Sequence, residues 1–179
     1  MLSQVKKDYS PKEEMPLGGY AVTTLIFNGL LLSVIRLSQR NEDQSEKREP
    51  IDVKEVILAG IATHKLSRII TKDAVTSFIR APFTRYQEPL GYGELKESPR
   101  QKGTLEAVSE ILSCNYCMSA WVGVATFWGM LRFPARARFL NRLFSCIAIS
   151  DFLHVLYEEK RTRSNVLTLR EEKLDRKAG

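Results

Sequence analysis

The chain has 179 residues, of which 44% are hydrophobic, and it carries a formal net charge of +6 at pH 7. This length predicts a single domain, and the excess of Lys and Arg favours contact with an anionic surface, either lipid head groups or nucleic acid. Three cysteines, an odd number, argue against a closed disulfide framework. Residues 1–14 are polar and no small-residue cleavage site follows the first apolar run, so we predict no cleavable signal peptide.

The first apolar segment, MPLGGYAVTTLIFNGLLLSVI from Met15 to Ile35, contains no charged residue. About 20 mainly apolar residues of helix cross a bilayer core, so we predict a transmembrane helix over residues 15–36. The alternative is a buried helix of a soluble bundle. A second uncharged segment occurs later, however, and two such helices would exceed the interior of so small a chain. The charged residues 37–52 predict a flexible linker.

The next segment, Val53 to Thr71, begins apolar and ends basic. On a helical wheel the two turns that contain Ile57 and Ile61 are apolar all round. Further along, one third of the circumference carries His64, Lys65, Arg68, Thr71 and Lys72. We therefore expect a helix that starts in hydrocarbon and emerges at head-group level, since Lys and Arg stems reach out of an apolar layer.

This basic segment has two interpretations. It is either an ordinary solvated or head-group-facing surface, the commoner use of such a face, or a pocket for an anion such as a lipid phosphate, a nucleotide or a carboxylate. Hydroxyl groups alternate with the cations, and phosphate oxygens accept hydrogen bonds from both. The candidate residues for binding an anion or head group are Thr63, His64, Lys65, Ser67, Arg68, Lys72, Arg80 and Arg85.

The loop from Pro82 to Gly103 contains several Pro and Gly residues and is not expected to be helical throughout. The second uncharged segment follows, from Ile111 to Leu131, and contains Cys114 and Cys117 at C-x-x-C spacing. Two sulfurs at this spacing can reach one metal ion or each other. A redox pair benefits from a helix start, but no thioredoxin-like βαβ pattern surrounds these cysteines, and thiols that simply pack there are the third possibility.

A structural zinc site needs four ligands. The remaining candidate ligands, Cys146, His64 and His154, lie in other segments, so no zinc site is predicted from spacing alone.

The last apolar segment, Ala137 to Tyr157, contains charged residues, among them Asp151, with His154 three positions further on the same helical face. An acid so closely surrounded by apolar residues usually has a partner. We expect an ion pair with His64, Lys65 or Arg68, and a proton relay or transport site made from the same groups is the functional alternative. Residues 158–179 form a charged tail.

No strand-pairing pattern stands out, so we predict an all-α membrane protein with two to four transmembrane or interfacial helices. With four spans, both termini and the long central loop share one side. They hold most of the basic residues, which predicts that the N and C termini are cytoplasmic. One connector opposes this orientation. The basic segment LRFPARAR, from Leu131 to Arg138, would lie on the non-cytoplasmic side of the membrane.

The run ATHKLSRIITKDAVTSFIRAPFTRY, followed later by ILSCNYCMSAW, resembles the bacterial domain-of-unknown-function family 1360. Its members are small membrane-associated proteins of spore formers, actinobacteria and phages with no assigned activity. The resemblance covers the core, residues 53–157, and the residues that match are Thr63, His64, Lys65, Ser67, Arg68, Lys72, Asp73, Arg80, Pro82, Arg85, Cys114, Cys117 and Trp121. The family has a proline after its first cysteine, where this chain has Asn115. The resemblance implies a membrane setting and one site made by the basic helix and the cysteines.

Two main hypotheses follow, and a soluble, nucleic-acid-binding helical protein is a third option. The first is a structural or interaction protein, linked to sporulation by the resemblance, whose partners are the lipid bilayer, its anionic head groups or another protein. The second is a small membrane enzyme, or a redox or metal site, that uses Cys114, Cys117 and His64. The sequence identifies neither a reaction nor a cofactor, and it carries no specific nucleic-acid-binding motif.

Overall fold

The computed structural model describes residues 15–43, 51–100 and 102–178. The predicted polar segment 1–14 and residues 44–50 of the predicted linker lie outside these ranges. Six α-helices and one hairpin make up the described chain: α1 (Leu17–Asp43), α2 (Val53–Thr71), α3 (Ser77–Arg80), β1 (Thr84–Gly91), β2 (Glu94–Pro99), α4 (Thr104–Ser113), α5 (Asn115–Arg132) and α6 (Pro134–Ala178). A 3-10 turn, Ala74–Thr76, links α2 to α3.

The first helix, α1, runs alongside α4 and α5. The Tyr20 hydroxyl donates a hydrogen bond to Glu110 of α4. Further along, the rings of Phe27 and Trp121 meet edge to face with their centroids 5.3 Å apart. Tyr20 also lies near Cys117 in the first turn of α5. Because Phe27 meets Trp121 further along that helix, α1 is parallel to α5.

The second helix, α2, runs alongside α6. The Ser145 hydroxyl donates to the Leu58 carbonyl at 2.7 Å, and further along both helices the Lys65 ammonium lies 2.9 Å from the Asp151 carboxylate. These helices are therefore parallel.

The helix α2 is antiparallel to α5. Lys72 binds Ser113 beside the start of α5. The earlier residue Thr63, by contrast, lies against Gly123, further along α5. It follows that α1 and α5 run one way while α2 and α6 run the other.

This arrangement gives the bundle two ends. The hairpin end holds the start of α1, the end of α2, the β-hairpin, α4 and the start of α5. The arginine end holds the end of α1, the start of α2 and the α5–α6 connection. At that connection the guanidinium groups of Arg132 and Arg136 lie 4.7 and 5.8 Å from the centroid of the Phe133 ring.

Small and polar side chains fill the interior, whereas large apolar side chains cover the outside. The buried residues include Ala59, Ala62, Ser67, Thr71, Ala107, Ser109 and Ser145. Exposed positions include Leu25, which is 72% exposed, and Phe139, which is 65% exposed. A water-soluble protein buries most residues of this kind, while helices that associate in lipid pack closely through small residues.

Within the described ranges, two helices are long and apolar enough to cross a membrane: Leu17–Arg40 in α1 and Pro134–Val166 in α6. The predicted all-α class, with two to four transmembrane or interfacial helices, is confirmed. The helix α5 is not one of this pair.

The segment predicted as one uncharged block, Ile111–Leu131, is divided at Cys114, whose extended backbone separates α4 from α5. By contrast, α6 is uninterrupted although it contains several charges. Two of these charges are paired with α2, since Arg138 lies 2.6 Å from Glu55 and Asp151 binds Lys65. Pro134 also favours this helix, because proline suits the first helical position.

The β-hairpin lies in the central loop, where the sequence indicated no strands. Its turn has three consecutive residues with positive φ: Gly91 at 88°, Tyr92 at 51° and Gly93 at 77°. Glycine adopts such angles readily, but tyrosine does so at a cost. Backbone hydrogen bonds from Ala74 to Gly93 and from Leu95 to Lys72, both 2.8 Å, fasten the turn to the end of α2.

Candidate functional site

A cavity of about 810 Å³ opens at the hairpin end, between α2, α6 and the hairpin turn. It contains residues from the two groups between which the sequence analysis expected an ion pair. His64, Lys65 and Arg68 come from the basic face of α2, and Asp151 and His154 come from α6. The parallel packing of α2 against α6 brings these groups together, so they form one site.

Lys65 is the central cation of the cavity. Its ammonium lies 2.9 Å from Asp151 and 3.8 Å from Asp73, which follows α2 in the chain. The expected partner of Asp151 on α2 is therefore Lys65. The Asp151 side chain remains half exposed, so this ion pair is open to a ligand.

Arg68 is held by the hairpin. Its Nε and Nη2 donate to Oε1 of Glu94 at 2.9 and 2.6 Å, and Nη2 also lies 2.5 Å from Oε2. Such forked pairing fixes the plane of the guanidinium group. The Arg68 side chain is nonetheless more than one-third exposed, which leaves part of the group facing the cavity.

The polar lining is close to charge balance. Two cations, Lys65 and Arg68, stand among three carboxylates: Asp73, Glu94 and Asp151. The cavity is thus not the strongly cationic pocket that the basic face of α2 would suggest when taken alone.

One wall of the cavity is apolar. Val75, Leu90, Tyr92, Phe152 and Val155 line it, and all five are exposed. Phe152 and Val155 belong to the apolar stretch of α6 that is long enough to cross a membrane. The charged lining of the cavity therefore adjoins the apolar outer surface of the bundle.

Arg80 lies elsewhere, in a sealed ion pair with Glu97 of β2. Its side chain is fully buried and that of Glu97 is 5% exposed. The guanidinium donates to both oxygens of Glu97, at 2.8 and 3.0 Å, to the Thr76 hydroxyl, and to the carbonyls of Ile70 and Asp73. Arg80 thus joins α2 to the hairpin and directs no N–H group into the cavity.

Glu97 is an ionised acid in this sealed pair. Burial on its own raises the pKa of a carboxyl group, but hydrogen bonds from Arg80 and Thr84, together with the nearby positive charges of Arg80 and Lys72, outweigh it. The pKa of Glu97 therefore lies below its ordinary value.

The predicted hydroxyl ligands point into the bundle. The Ser67 hydroxyl donates to the His64 carbonyl and the Thr71 hydroxyl to the Ser67 carbonyl, both at 2.8 Å, and both residues are buried. Thr63 faces α5, where its methyl group lies 3.8 Å from the position of a Cβ added to Gly123. These three residues pack the helices and do not line the cavity.

The remaining predicted cations also lie outside the cavity. The Lys72 ammonium donates to the Ser113 carbonyl at 2.7 Å, where a cation suits the end of α4. Arg85 is exposed on β1 opposite Ser98. The structure thus divides the predicted basic segment, with His64, Lys65 and Arg68 at the cavity and the others elsewhere.

Cys114 and Cys117 lie at the joint between α4 and α5, beside Ser113 and away from the cavity lining. The Cys114 sulfur accepts a hydrogen bond from the Cys117 backbone N–H at 3.4 Å, so Cys114 caps α5. Both are free thiols. Among the described residues, no three His, Cys, Asp or Glu side chains are grouped closely enough to hold a metal ion.

Most of the lining residues that sequence reasoning missed belong to the hairpin turn, Leu90 to Glu94, and all five of these line the cavity. The G-Y-G run is a turn signal that could have located them. Their role as a wall of the site depends on the docking of the turn against α2, which local sequence does not reveal.

A family model described as "Protein of unknown function (DUF1360)" matches residues 58–157, which is more than half of the chain. The chain therefore belongs to this family, and the predicted resemblance is confirmed. The matched region begins within α2 and ends within α6, so it contains every lining residue of the cavity and both cysteines. No curated protein and no solved structure matches the chain.

Proposed function

We propose that this protein is an integral membrane protein that holds the head group of a phospholipid in the cavity at its hairpin end. The observation that carries the proposal is the composition of this cavity, in which paired charges from α2 and α6 meet an exposed apolar wall. A phospholipid has the same two-part character, with a charged head beside acyl chains.

The distribution of side chains supports the membrane setting. The segments Leu17–Arg40 and Pro134–Val166 are long enough to span a bilayer. Large apolar side chains cover the outer faces of the bundle, and small residues lie between the helices. In this arrangement the hairpin end and the arginine end lie near the two head-group layers.

The charge balance of the lining favours a head group that carries both a phosphate and an ammonium group. Lys65 and Arg68 supply partners for phosphate oxygens, while Asp73, Glu94 and Asp151 supply partners for the ammonium group. This differs from the sequence-based expectation of a purely anionic head group, because each cation already has a carboxylate beside it.

Anionic head groups are better suited to the arginine end. Arg132, Arg136 and Arg142 are exposed there, and the first two stack on Phe133. We propose that both termini lie on the cytoplasmic side; the parallel course of α2 and α6 and of α1 and α5 supports their lying on the same side. A protein partner and a sporulation role remain hypotheses from the family resemblance.

Lipid retention by the purified full-length chain tests the proposed cavity function. The protein is moved from detergent into nanodiscs of phosphatidylethanolamine, phosphatidylcholine or phosphatidylglycerol, re-extracted, and its retained lipid measured by native mass spectrometry. We expect Arg68→Gln to reduce retention of the zwitterionic lipids at least about tenfold, the size expected from losing one charge-assisted hydrogen bond. The matched control is Lys96→Gln, which breaks an exposed hairpin ion pair with Glu88 outside the cavity.

Two results would contradict the proposal. If Arg68→Gln and Lys96→Gln retain equal amounts of lipid, the cavity does not bind the lipid head group. If alkaline carbonate releases the native protein from membranes, the protein is not an integral membrane protein.

A further inference from the structure

Cys114 and Cys117 lie at the joint between α4 and α5, where the fold fixes their positions. Cys114 occupies the N-cap of α5 with an extended backbone, and Cys117 lies in the first turn. The Cys117 N–H donates to the Cys114 sulfur at 3.4 Å, which places that sulfur against the first turn of α5. The two thiols are close enough for each to change the pKa of the other.

The surroundings of the two thiols shift their pKa values in opposite directions. Burial raises the pKa of Cys114, but hydrogen bonds from the Cys117 thiol and from the backbone N–H groups of Cys117 and Tyr116, with the charge of Lys72, bring it below the ordinary value. Burial, the Cys114 thiol and the charge of Glu110 raise the pKa of Cys117 to about 11.

Lys72 supplies a second, structural reason for this asymmetry. Its ammonium binds the carbonyl of Ser113, the residue next to Cys114. A cation in that position and the positive end of the α5 dipole both stabilise a thiolate at Cys114. Cys117 is exposed and Cys114 partly so, which leaves the pair accessible to a reagent.

We infer that Cys114 and Cys117 form a reversible dithiol–disulfide pair that exchanges with the disulfide of a low-molecular-weight thiol. The Cys114 thiolate attacks one sulfur of that disulfide, forms a mixed disulfide and releases one small thiolate. Cys117 gives its proton to the released thiolate and attacks the Cys114 sulfur. The intramolecular disulfide forms, the second small thiolate leaves, and two electrons have passed from the protein to the small disulfide.

This site is separate from the lipid cavity and does not depend on the proposed lipid binding. The test uses the full-length chain in detergent with Cys146→Ser, which removes the third, exposed thiol. The protein is equilibrated with defined ratios of reduced and oxidised glutathione, quenched with acid and labelled with a maleimide. Intact mass then counts free thiols, glutathione adducts and disulfides.

We expect both thiols to be lost in one transition, with a mass decrease of two hydrogens and little adduct. In Cys114→Ser or Cys117→Ser, by contrast, the remaining thiol should collect a stable glutathione adduct. The helical circular dichroism of each variant shows whether it is folded. Independent adducts on both thiols of the folded pair, or two free thiols at the most oxidising ratio, would overturn the inference.

A second measurement separates a preorganised pair from any two nearby thiols. Because the fold stabilises the Cys114 thiolate, it stabilises the reduced state, so the disulfide should be easier to reduce in the native chain than in the denatured chain. We expect at least a tenfold difference in the exchange constant with glutathione, which is about 30 mV for a two-electron couple. Equal constants would mean that the fold contributes nothing to the pair.

Discussion

Two kinds of ion pair lie beside the hairpin. The sealed pair of Arg80 in α3 and Glu97 in β2 fastens the hairpin near the end of α2, whereas the pairs at the cavity are open. Arg80 and Glu97 are almost completely buried, and every N–H group of the guanidinium has a partner. At the cavity, Lys65 and Arg68 are also paired with carboxylates, but their sites reach solvent. Cations that look alike in the sequence thus have different roles, since burial and partners decide which one holds the fold and which one meets a ligand.

The largest effect is expected from breaking the sealed pair. Arg80→Met leaves Glu97 buried without its partner, and removing one member of a buried ion pair costs about 3–5 kcal/mol of unfolding free energy. Chemical denaturation in detergent, followed by circular dichroism, measures this loss. In the double variant Arg80→Met, Glu97→Met we expect part of the stability to return, because no buried charge is left unpaired, although the carbonyls of Ile70 and Asp73 still lose a donor. A double variant as unstable as the single one would contradict this account.

The sealed pair should also make stability depend on pH. The pKa of Glu97 is lower in the folded protein than its ordinary value of 4.5, so its contribution is complete above about pH 4.5 and declines as the pH falls through the folded pKa. We expect the native chain to lose more stability between pH 6 and pH 3 than Glu97→Gln does. Denaturation curves at both pH values provide the measurement, and parallel losses in the two proteins would exclude Glu97 as the titrating group.

Breaking the open pair should change binding more than stability. Lys65→Met removes the partner of a half-exposed Asp151, although Lys65 itself is 17% exposed. Because one member of the pair stays in solvent, its loss should cost far less than that of the sealed pair, about 1 kcal/mol. We therefore expect a small loss of unfolding free energy but a several-fold loss of retained phosphatidylethanolamine. The charge-conserving variant Lys65→Arg serves as the control: it should keep the ion pairs with Asp151 and Asp73 and most of the binding. If Lys65→Met loses as much unfolding free energy as Arg80→Met, the open and the sealed ion pairs do not differ in their contribution to stability.

The sequence predicted the helices and part of the site because these depend on local patterns. The wheel of α2 identified His64, Lys65 and Arg68, and the apolar surroundings of Asp151 implied a partner that proved to be Lys65. The hairpin escaped prediction because its pairing shifts register twice, next to Tyr86 and Pro89, which breaks the usual alternation of strands.

The burial of Arg80 escaped prediction for a related reason. Its partner, Glu97, belongs to that same unpredicted hairpin, so no nearby residue distinguished Arg80 from the exposed Arg85. The separation of the cysteines from the cavity likewise depends on how α4 and α5 pack, which no local pattern encodes.

The smallest effect is expected at the turn that closes the cavity. Tyr92 has a φ of 51° and its side chain is 79% exposed on the cavity wall, although a tyrosine in this conformation costs about 1–2 kcal/mol. Asparagine tolerates the same backbone better, so Tyr92→Asn should raise the unfolding free energy by up to about 1 kcal/mol, measured by denaturation. Its lipid retention should fall about twofold, because an aromatic wall is lost while the charged lining is kept. A Tyr92→Asn protein that is destabilised would show that the ring packs to hold the turn, and that the hairpin's role at the cavity is structural.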